Sequence, residues 1–233
     1  MNAILDGFKT AFVLLISGDK EVIQITWLTL KVCGTATLLS VLIGLPTGIF
    51  LALHDFPLKK IVVTIVNTGM GLPPVVVGLW VALLLWRSGP FGFLNIIYTP
   101  TAIVIAQAVI ASPIVTGLSM AAIQQLDPNL PIQLKALGAS NLQTVCILLK
   151  EARLSLLAAV IAGFGGVISE VGAALMVGGN IKGYSRVLTT AIRLHVSRGE
   201  FGYAIALSII LMLLSFTITY ILTRVQQRRT IID

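Results

Sequence analysis

Long apolar stretches alternate with short polar segments along the 233 residues of the chain. The five apolar stretches are Val32–Leu53, Ile61–Trp86, Ala102–Leu126, Leu154–Val177 and Phe201–Thr223, each 22 to 26 residues long. A helix needs roughly 20 residues to cross a bilayer core about 30 Å thick. A helix of a soluble protein would carry a polar face, which these stretches lack. The pattern therefore predicts an all-α integral membrane protein with five transmembrane helices.

Charged residues avoid the five stretches. The chain has 16 basic and 9 acidic residues, and all of them except Glu170 lie outside the stretches. Only 11% of the residues are charged, against roughly 25% in a soluble domain. The net charge of +7 does not indicate nucleic-acid binding, because no basic helix is interleaved with aromatic residues. This composition excludes a disordered protein and argues against a soluble enzyme.

The N-terminal segment, residues 1–25, has a different pattern. Ala11–Ile16 is apolar, but Asp6 and Lys9 interrupt the residues before it, so the uncharged run is too short to span. The segment also lacks the basic start and the cleavage site of a signal peptide. We expect a helix lying in the membrane interface, followed by an external segment, with a sixth span as the alternative.

The basic residues divide evenly between the two sides of the membrane, eight on each. They are denser on the side of the linker 54–60 and the C-terminal tail, so this side is predicted to be cytoplasmic. The same side holds the polar loop 127–153. These boundaries predict a transmembrane domain over residues 26–224 and a cytoplasmic tail over residues 225–233.

The opposite, external side has an unusually basic loop, residues 178–200. Arg186 and Arg193 are candidates for attracting an anionic substrate toward the membrane. The alternative is an interfacial helix whose basic residues snorkel beside Leu188, Ile192 and Val196. The two interpretations are compatible.

Helix-breaking and polar residues interrupt three of the spans. Adjacent prolines break a helix, and the freed carbonyls are tolerated at membrane depth only against protein or a water-filled cavity. The candidates for a translocation pathway or gate are Pro73, Pro74, Ser112, Pro113, Thr116, Ser169 and Glu170. We expect Glu170 to pair with Arg186 or Arg193, or to accept hydrogen bonds from neighbouring backbone. Ordinary packing of a helix bundle is the alternative for the small residues.

The loop 127–153 is the most informative polar segment. It predicts two short helices, Ile132–Leu137 and Leu142–Leu149. Gly138 would end the first helix, and Ser140 or Asn141 would cap the second. Such a pair is too short to be a domain and is suited to docking in a groove of another protein.

These features resemble the membrane subunits of type I ABC importers. The shared loop has the form E-A-A-x3-G-x9-I-x-L-P, which Gly138 and Leu148 match at the glycine and isoleucine positions. Ile132–Leu134 replace E-A-A, and Lys150 and Glu151 replace the final leucine and proline. The chain is most similar to the molybdate, tungstate and sulfate group, and within it to the tungstate branch. The segments that carry this similarity are Leu30-Lys-Val, Gly44-Leu-Pro-Thr-Gly48, Gly71-Leu-Pro-Pro-Val-Val-Val-Gly78 and Ile168-Ser-Glu-Val-Gly-Ala173.

The resemblance implies a type I ABC importer permease fold and a set of partners. Two copies of the chain would form the pathway, two ABC ATPase subunits would bind below, and an extracytoplasmic binding protein would deliver the oxyanion. The ATPase would receive the segment around Gly138. The residues implied in this coupling are Lys135, Ala136, Leu137, Gly138, Ala139, Ser140 and Asn141. The chain has no phosphate-binding loop, so ATP and Mg²⁺ would be held by the partner and no catalytic residue or metal site is expected here.

Three other classes of function fit less well. A membrane-embedded enzyme would need a catalytic constellation that two histidines and one intramembrane acid do not supply. An ion channel leaves the loop 127–153 unexplained. A secondary transporter commonly has inverted repeats, and no internal repeat is evident. A permease of the same class for molybdate, sulfate or another anion remains open.

Overall fold

The computed structural model describes residues 2–227, which fold into α-helices and one short 3₁₀-helix at Gly92–Leu94. The α-helices are α1 (Asn2–Ser17), α2 (Lys20–Leu53), α3 (Lys59–Met70), α4 (Pro74–Leu85), α5 (Pro100–Gln124), α6 (Leu130–Ala136), α7 (Asn141–Glu151), α8 (Arg153–Ile168), α9 (Gly172–Gly178), α10 (Leu188–Ser197) and α11 (Phe201–Gln227).

Three of these helices, α2, α5 and α11, are long and apolar enough to cross a membrane. Two helix pairs pass the same test together but are bent: α3 and α4 by 104°, and α8 and α9 by 59°. The described residues thus contain up to five spans if each bent pair counts as one. The break that the adjacent prolines predict within residues 61–86 is confirmed, and residues 154–177 are interrupted as well, between α8 and α9.

Helix α5 is the centre of the bundle. It is buried along its length and packs against α2, α3, α4, α8 and α9. The contact with α2 is close because Gly44 and Gly48 of α2 face α5. A Cβ at Gly48 would lie 2.5 Å from the Thr116 carbonyl oxygen, so only glycine allows the two backbones to approach this far.

Helix α2 begins about three turns before the apolar stretch that predicts it. Asp19 caps the helix by accepting a hydrogen bond from the Val22 N–H (2.9 Å), and Gly18 makes the preceding turn at φ +64°. Residues 20–25, expected to belong to the N-terminal segment, are therefore part of α2. Lys31, which the apolar pattern places outside the first span, lies within this helix.

Helix α1 packs along α11. A Cβ at Gly7 would overlap the Ile205 side chain, and Leu14 contacts the cluster that contains Leu207 and Ile210. With 16 residues, α1 is shorter than the roughly 20 residues that span a bilayer. Its interfacial location stays a prediction.

Helix α10 is packed into the bundle. Leu188 and Ala191 are fully buried against Val22 and Ile25 of α2 and Leu207 of α11. The alternative of an interfacial helix in the loop 178–200 stays a prediction, although Leu188 and Ile192, beside which the basic residues would snorkel, contact protein.

At the C-terminus, α11 extends to Gln227. Gln226 Nε2 donates a hydrogen bond to the Leu154 carbonyl oxygen (2.8 Å), which fixes the end of α11 against the start of α8. Residues 225–227 of the expected tail are therefore helical, and residues 228–233 lie outside the described part of the chain.

Candidate functional site

The two helix breaks meet in one cavity of about 320 Å³. Pro73 and Pro74 line it from the break between α3 and α4, and Ser169 and Glu170 line it from the break between α8 and α9. Ile110 and Ile114 of α5 and Gly166 of α8 are among its other lining residues. Four of the seven predicted pathway residues are thus brought together from segments about 100 residues apart.

The first break follows directly from the sequence Gly69-Met-Gly-Leu-Pro-Pro74. Neither proline has an N–H, so the hydrogen-bond ladder cannot continue across them. Pro73 instead is the N-cap residue of α4, and its carbonyl accepts a hydrogen bond from the Val76 N–H (2.9 Å). Gly69 lies against Pro113 of α5, since a Cβ at Gly69 would be 2.9 Å from the proline ring. Pro113 therefore supports the break from α5.

The second break is organised by Glu170. This side chain is 7% exposed, and its Oε1 accepts a hydrogen bond from the Ala173 N–H (2.8 Å), which caps the first turn of α9. The Glu170 carbonyl oxygen accepts from Thr189 Oγ1 (3.0 Å). The expected backbone hydrogen bond is confirmed. The alternative, an ion pair of Glu170 with Arg186 or Arg193, does not form among the described residues, and Arg186 pairs with Glu21 instead.

Ser112 and Thr116 are not brought to this cavity. Ser112 Oγ donates to the Ala108 carbonyl oxygen (2.6 Å), and Thr116 Oγ1 donates to the Ser112 carbonyl oxygen (2.7 Å). Thr116 is buried where α5 meets the glycines of α2. Both hydroxyls bond within α5 rather than facing the break.

The loop 127–153 has the two-helix structure that its sequence predicts. Gly138 follows α6 at φ +88°, and its N–H donates to the Lys135 carbonyl oxygen (3.0 Å). Ser140 and Gln143 form a reciprocal capping box at the start of α7. The predicted ending and capping of these helices are confirmed, although α6 begins at Leu130 and α7 extends to Glu151.

This loop presents an apolar surface to solvent. Ile132, Leu137 and Leu142 are 67%, 85% and 75% exposed. On the other side of the loop, Leu148 and Thr144 are buried, and Leu148 packs with Ile123 and Leu156. The loop is thus fixed to the bundle by α7 while its turn displays leucine side chains. Exposed apolar residues of this kind are typical of a protein–protein contact.

The basic residues on the opposite side of the bundle are partly neutralised. Arg186 Nη1 lies 3.3 Å from Glu21 Oε1, and Lys182 Nζ lies 2.7 Å from Glu21 Oε2. Arg186 Nε also donates to Asn180 Oδ1 (3.2 Å). Arg193 is exposed on α10. Arg186 and Arg193 are therefore not equivalent, since among the described residues Arg186 forms an ion pair and Arg193 does not.

Lys31 lines a second cavity, of about 600 Å³, between α2 and the first turn of α5. Hydropathy alone starts the first span at Val32, so this lysine is counted with the external segment, although it belongs to the segment Leu30-Lys-Val that carries the family resemblance. The signal that finds it is the Asp19 cap: the polar residues that follow belong to one helix with the apolar stretch.

Comparison with known proteins identifies membrane subunits of transport systems as the relatives of this chain. Residues 44–231 match the family described as binding-protein-dependent transport system inner membrane component. The chain is 39% identical to the tungstate uptake system permease protein TupB of Peptoclostridium acidaminophilum, over 97% of this chain and 100% of that protein. It is 35% identical to the protein of the same name from Campylobacter jejuni, over 95% and 92% of the two chains.

A similar fold occurs in a solved structure of a bacterial alginate ABC transporter in complex with an alginate pentasaccharide-bound periplasmic protein. The TM-score is 0.74 and the identity 20%, covering 98% of this chain and 87% of that chain. At this identity the likeness shows the fold alone.

Proposed function

Because the chain belongs to the family of binding-protein-dependent transport system inner membrane components, we propose that it forms the pathway of a tungstate importer as a homodimer. The chain is a multi-pass membrane protein with a type I ABC importer permease fold. It is a transport subunit and not an enzyme. In the proposed complex, ATP and Mg²⁺ are bound by two partner ATPase subunits, and an extracytoplasmic protein delivers the anion.

The exposed turn of the loop 127–153 is the observation that carries the coupling role. Leu137, 85% exposed, stands at the tip of a structured turn, and α7 connects that turn to the core. A groove on an ATPase subunit would bury the leucines that water now surrounds, which favours association. The coupling segment is Lys135–Asn141, and the loop and the C-terminus face the cytoplasm.

The substrate is proposed from the two tungstate permease relatives, whose similarity extends over nearly the whole chain. The alternative is molybdate, sulfate or another anion carried by a permease of the same class. Arg193, which is exposed, is the better candidate for attracting the anion from outside. Arg186 contributes less, because Glu21 neutralises part of its charge.

The cavity between the two helix breaks is proposed as the gate. Two helices that end beside the same cavity can change their bend without stretching a continuous hydrogen-bond ladder. Small movements at such a junction are amplified because packed interfaces have discrete arrangements. Pro73, Pro74, Ser169 and Glu170 line this gate, with Pro113 behind it. Ser112 and Thr116 lie outside this gate, because their hydroxyls bond within α5.

The decisive experiment is ATP hydrolysis by the chain reconstituted with its ATPase and binding protein. Tungstate, molybdate, sulfate and phosphate are compared at increasing concentration. We expect tungstate to stimulate hydrolysis at much lower concentration than the other anions. Stimulation by another anion would support the ATP-coupled mechanism but contradict tungstate as the substrate. Failure to form a complex with any ATPase would contradict the importer and favour an ATP-independent channel.

A further inference from the structure

Lys31 is a charged residue inside a membrane-spanning helix. It lies about three turns into α2, and the apolar residues that cross the membrane follow it. No ion-pair partner of Lys31 occurs within residues 2–227. Charged residues within transmembrane segments are rare, and they commonly face a water-filled cavity and mark a substrate pathway.

The side chain lines the cavity of about 600 Å³ described above. Four of its lining residues carry hydroxyl groups, Thr35, Thr99, Thr101 and Tyr184, and the others besides Lys31 are apolar. No carboxylate contributes to the lining among the described residues. The volume is many times that of one water molecule, about 30 Å³ in the liquid. A hydrated tetrahedral anion therefore fits.

A cavity beside the loop 127–153 contains Lys135 and no carboxylate among its described lining, but it lies at the other end of α5. Two further cavities lack the combination altogether. The external one contains Arg186, Lys182 and Arg198; Glu21 pairs with the first two, and Asp19 and Glu200 add carboxylates to the lining. The cavity between the two helix breaks contains Glu170, and no basic residue lines it among the described residues. An anion would meet a carboxylate in either place. In the Lys31 cavity it would meet a positive charge without a competing negative charge.

The walls of the Lys31 cavity are held in place. Thr99 Oγ1 accepts from the Ala102 N–H (3.3 Å) and so caps α5. The Tyr98 N–H donates to the Val177 carbonyl oxygen (2.8 Å), which fixes the segment before α5. Gln24 Nε2 donates to the Gly183 carbonyl oxygen (3.1 Å), so the turn that carries Tyr184 is attached to α2. The cavity is therefore formed before an anion arrives.

The location also fits a pathway. The cavity lies at the first turn of α5, and the loop 127–153 follows the other end of the same helix. The two features are thus at opposite ends of the central helix. With the loop on the cytoplasmic side, the lysine lies near the external surface of the membrane.

From these observations we infer that Lys31 is the cation of an oxyanion-binding site at the outer end of the pathway. Its ammonium group donates hydrogen bonds to the oxygens of the anion, and these charge-assisted bonds are stronger than neutral ones. The hydroxyls of Thr101 and Tyr184, which have no hydrogen-bond partner among the described residues, supply further donors. This inference rests on the proposed import of an oxyanion.

The first test is uptake by the complete transporter, reconstituted with its ATPase and binding protein. Lys31→Gln should lower the uptake rate at subsaturating anion by about tenfold, while Lys31→Arg retains most of it. Lys20→Gln is the matched control, because Lys20 lies on the same helix, is exposed and does not line the cavity. Uptake by Lys31→Gln equal to that of the Lys20 control would overturn the inference and favour a lysine that contacts lipid head groups.

Chemical rescue distinguishes the loss of the positive charge at position 31 from a structural effect of the substitution. In a Cys146→Ser background, Lys31→Cys is labelled from outside; the remaining Cys33 is buried. An aminoethyl thiosulfonate restores a side chain of similar length and charge, and a sulfonatoethyl reagent adds a negative one. We expect only the amine to restore uptake, and equal effects of both reagents would contradict the site.

The outcomes distinguish failure of the site from failure of the proposed function. If the unmodified transporter moves none of the four anions, the proposed function is wrong. If it moves one of them and Lys31→Gln moves that anion equally well, only the Lys31 site is wrong.

Discussion

Gly138 tests the coupling role of the loop 127–153 because its substitutions change the backbone and little else. The residue has φ +88°, and a Cβ built on it meets no atom within 4 Å. Gly138→Ala therefore adds no collision, and its cost is the left-handed conformation itself, about 1–2 kcal/mol. Asparagine tolerates this conformation better than alanine does. Proline cannot adopt it, and it also removes the hydrogen bond to the Lys135 carbonyl.

The effect should be confined to the loop. None of the residues of α6 is buried, and α7 is attached to the bundle beyond the turn through Thr144 and Leu148. The turn can therefore rearrange while the membrane helices stay folded. If the ATPase binds only the native turn, a cost of 1–2 kcal/mol weakens docking by a factor of about 5–30. We expect coupled uptake to fall in the order Asn, Ala and Pro, with Gly138→Pro inactive.

Three measurements check this order in proteoliposomes: anion uptake, ATP hydrolysis stimulated by the binding protein, and recovery of the complex by size exclusion. The thermal unfolding midpoint of the isolated permease is the control for folding, and Gly138→Pro should leave it nearly unchanged. Uptake at the normal rate by Gly138→Pro would refute the coupling role. Equal losses with Asn and Pro would refute the backbone explanation.

Three further predictions concern other contacts. Leu137→Asp should lower the affinity for the ATPase by about tenfold or more in a pull-down titration while the unfolding midpoint is retained; unchanged affinity would exclude this leucine from the interface. Gly48→Ala should destabilise the bundle by about 1–3 kcal/mol because its Cβ would lie 2.5 Å from the Thr116 carbonyl. Gly34→Ala, with open space around it, is the matched control in the same thermal unfolding assay, and equal midpoints would contradict the packing. Glu170→Ala should cost about 1 kcal/mol through loss of the cap on α9, and Glu170→Gln less; equal unfolding midpoints for the two variants would contradict capping.

The loop 127–153 could be predicted from sequence because local interactions determine it. Gly138 and Ser140 each act on backbone groups within a few residues, so the end of α6 and the start of α7 follow from residue type. The position of the first helix break is local in the same sense, since Pro73 and Pro74 remove their own N–H groups. The 104° angle between α3 and α4, in contrast, is not determined by neighbouring residues alone. At this bend Gly69 lies against Pro113, and the two residues are distant in sequence.

Long-range contacts explain the remaining differences. Leu188 is compatible with a lipid-facing helix until α2 and α11 are placed around it. Arg186 could have paired with any external acid, and only the folded chain brings it to Glu21. The position of Lys31 within α2 was missed because hydropathy detects where an apolar stretch begins, not where a helix begins. The resemblance to type I ABC importer subunits is confirmed by the family match over residues 44–231.

The packing also gives a physical route from the loop to the gate. Leu148 of α7 contacts the cluster formed by Ile123 of α5 and Leu156 of α8. Helix α8 then runs from that cluster to the break at Ser169 and Glu170. Gln107 Nε2 of α5 donates to the Val167 carbonyl oxygen (3.3 Å) near the end of α8, so the two helices are also joined beside the break. A displacement of α7 by a bound ATPase would reach the break through rigid helices rather than through a flexible linker. Because the break already lacks a continuous ladder, we expect the movement to be absorbed there as a change of bend.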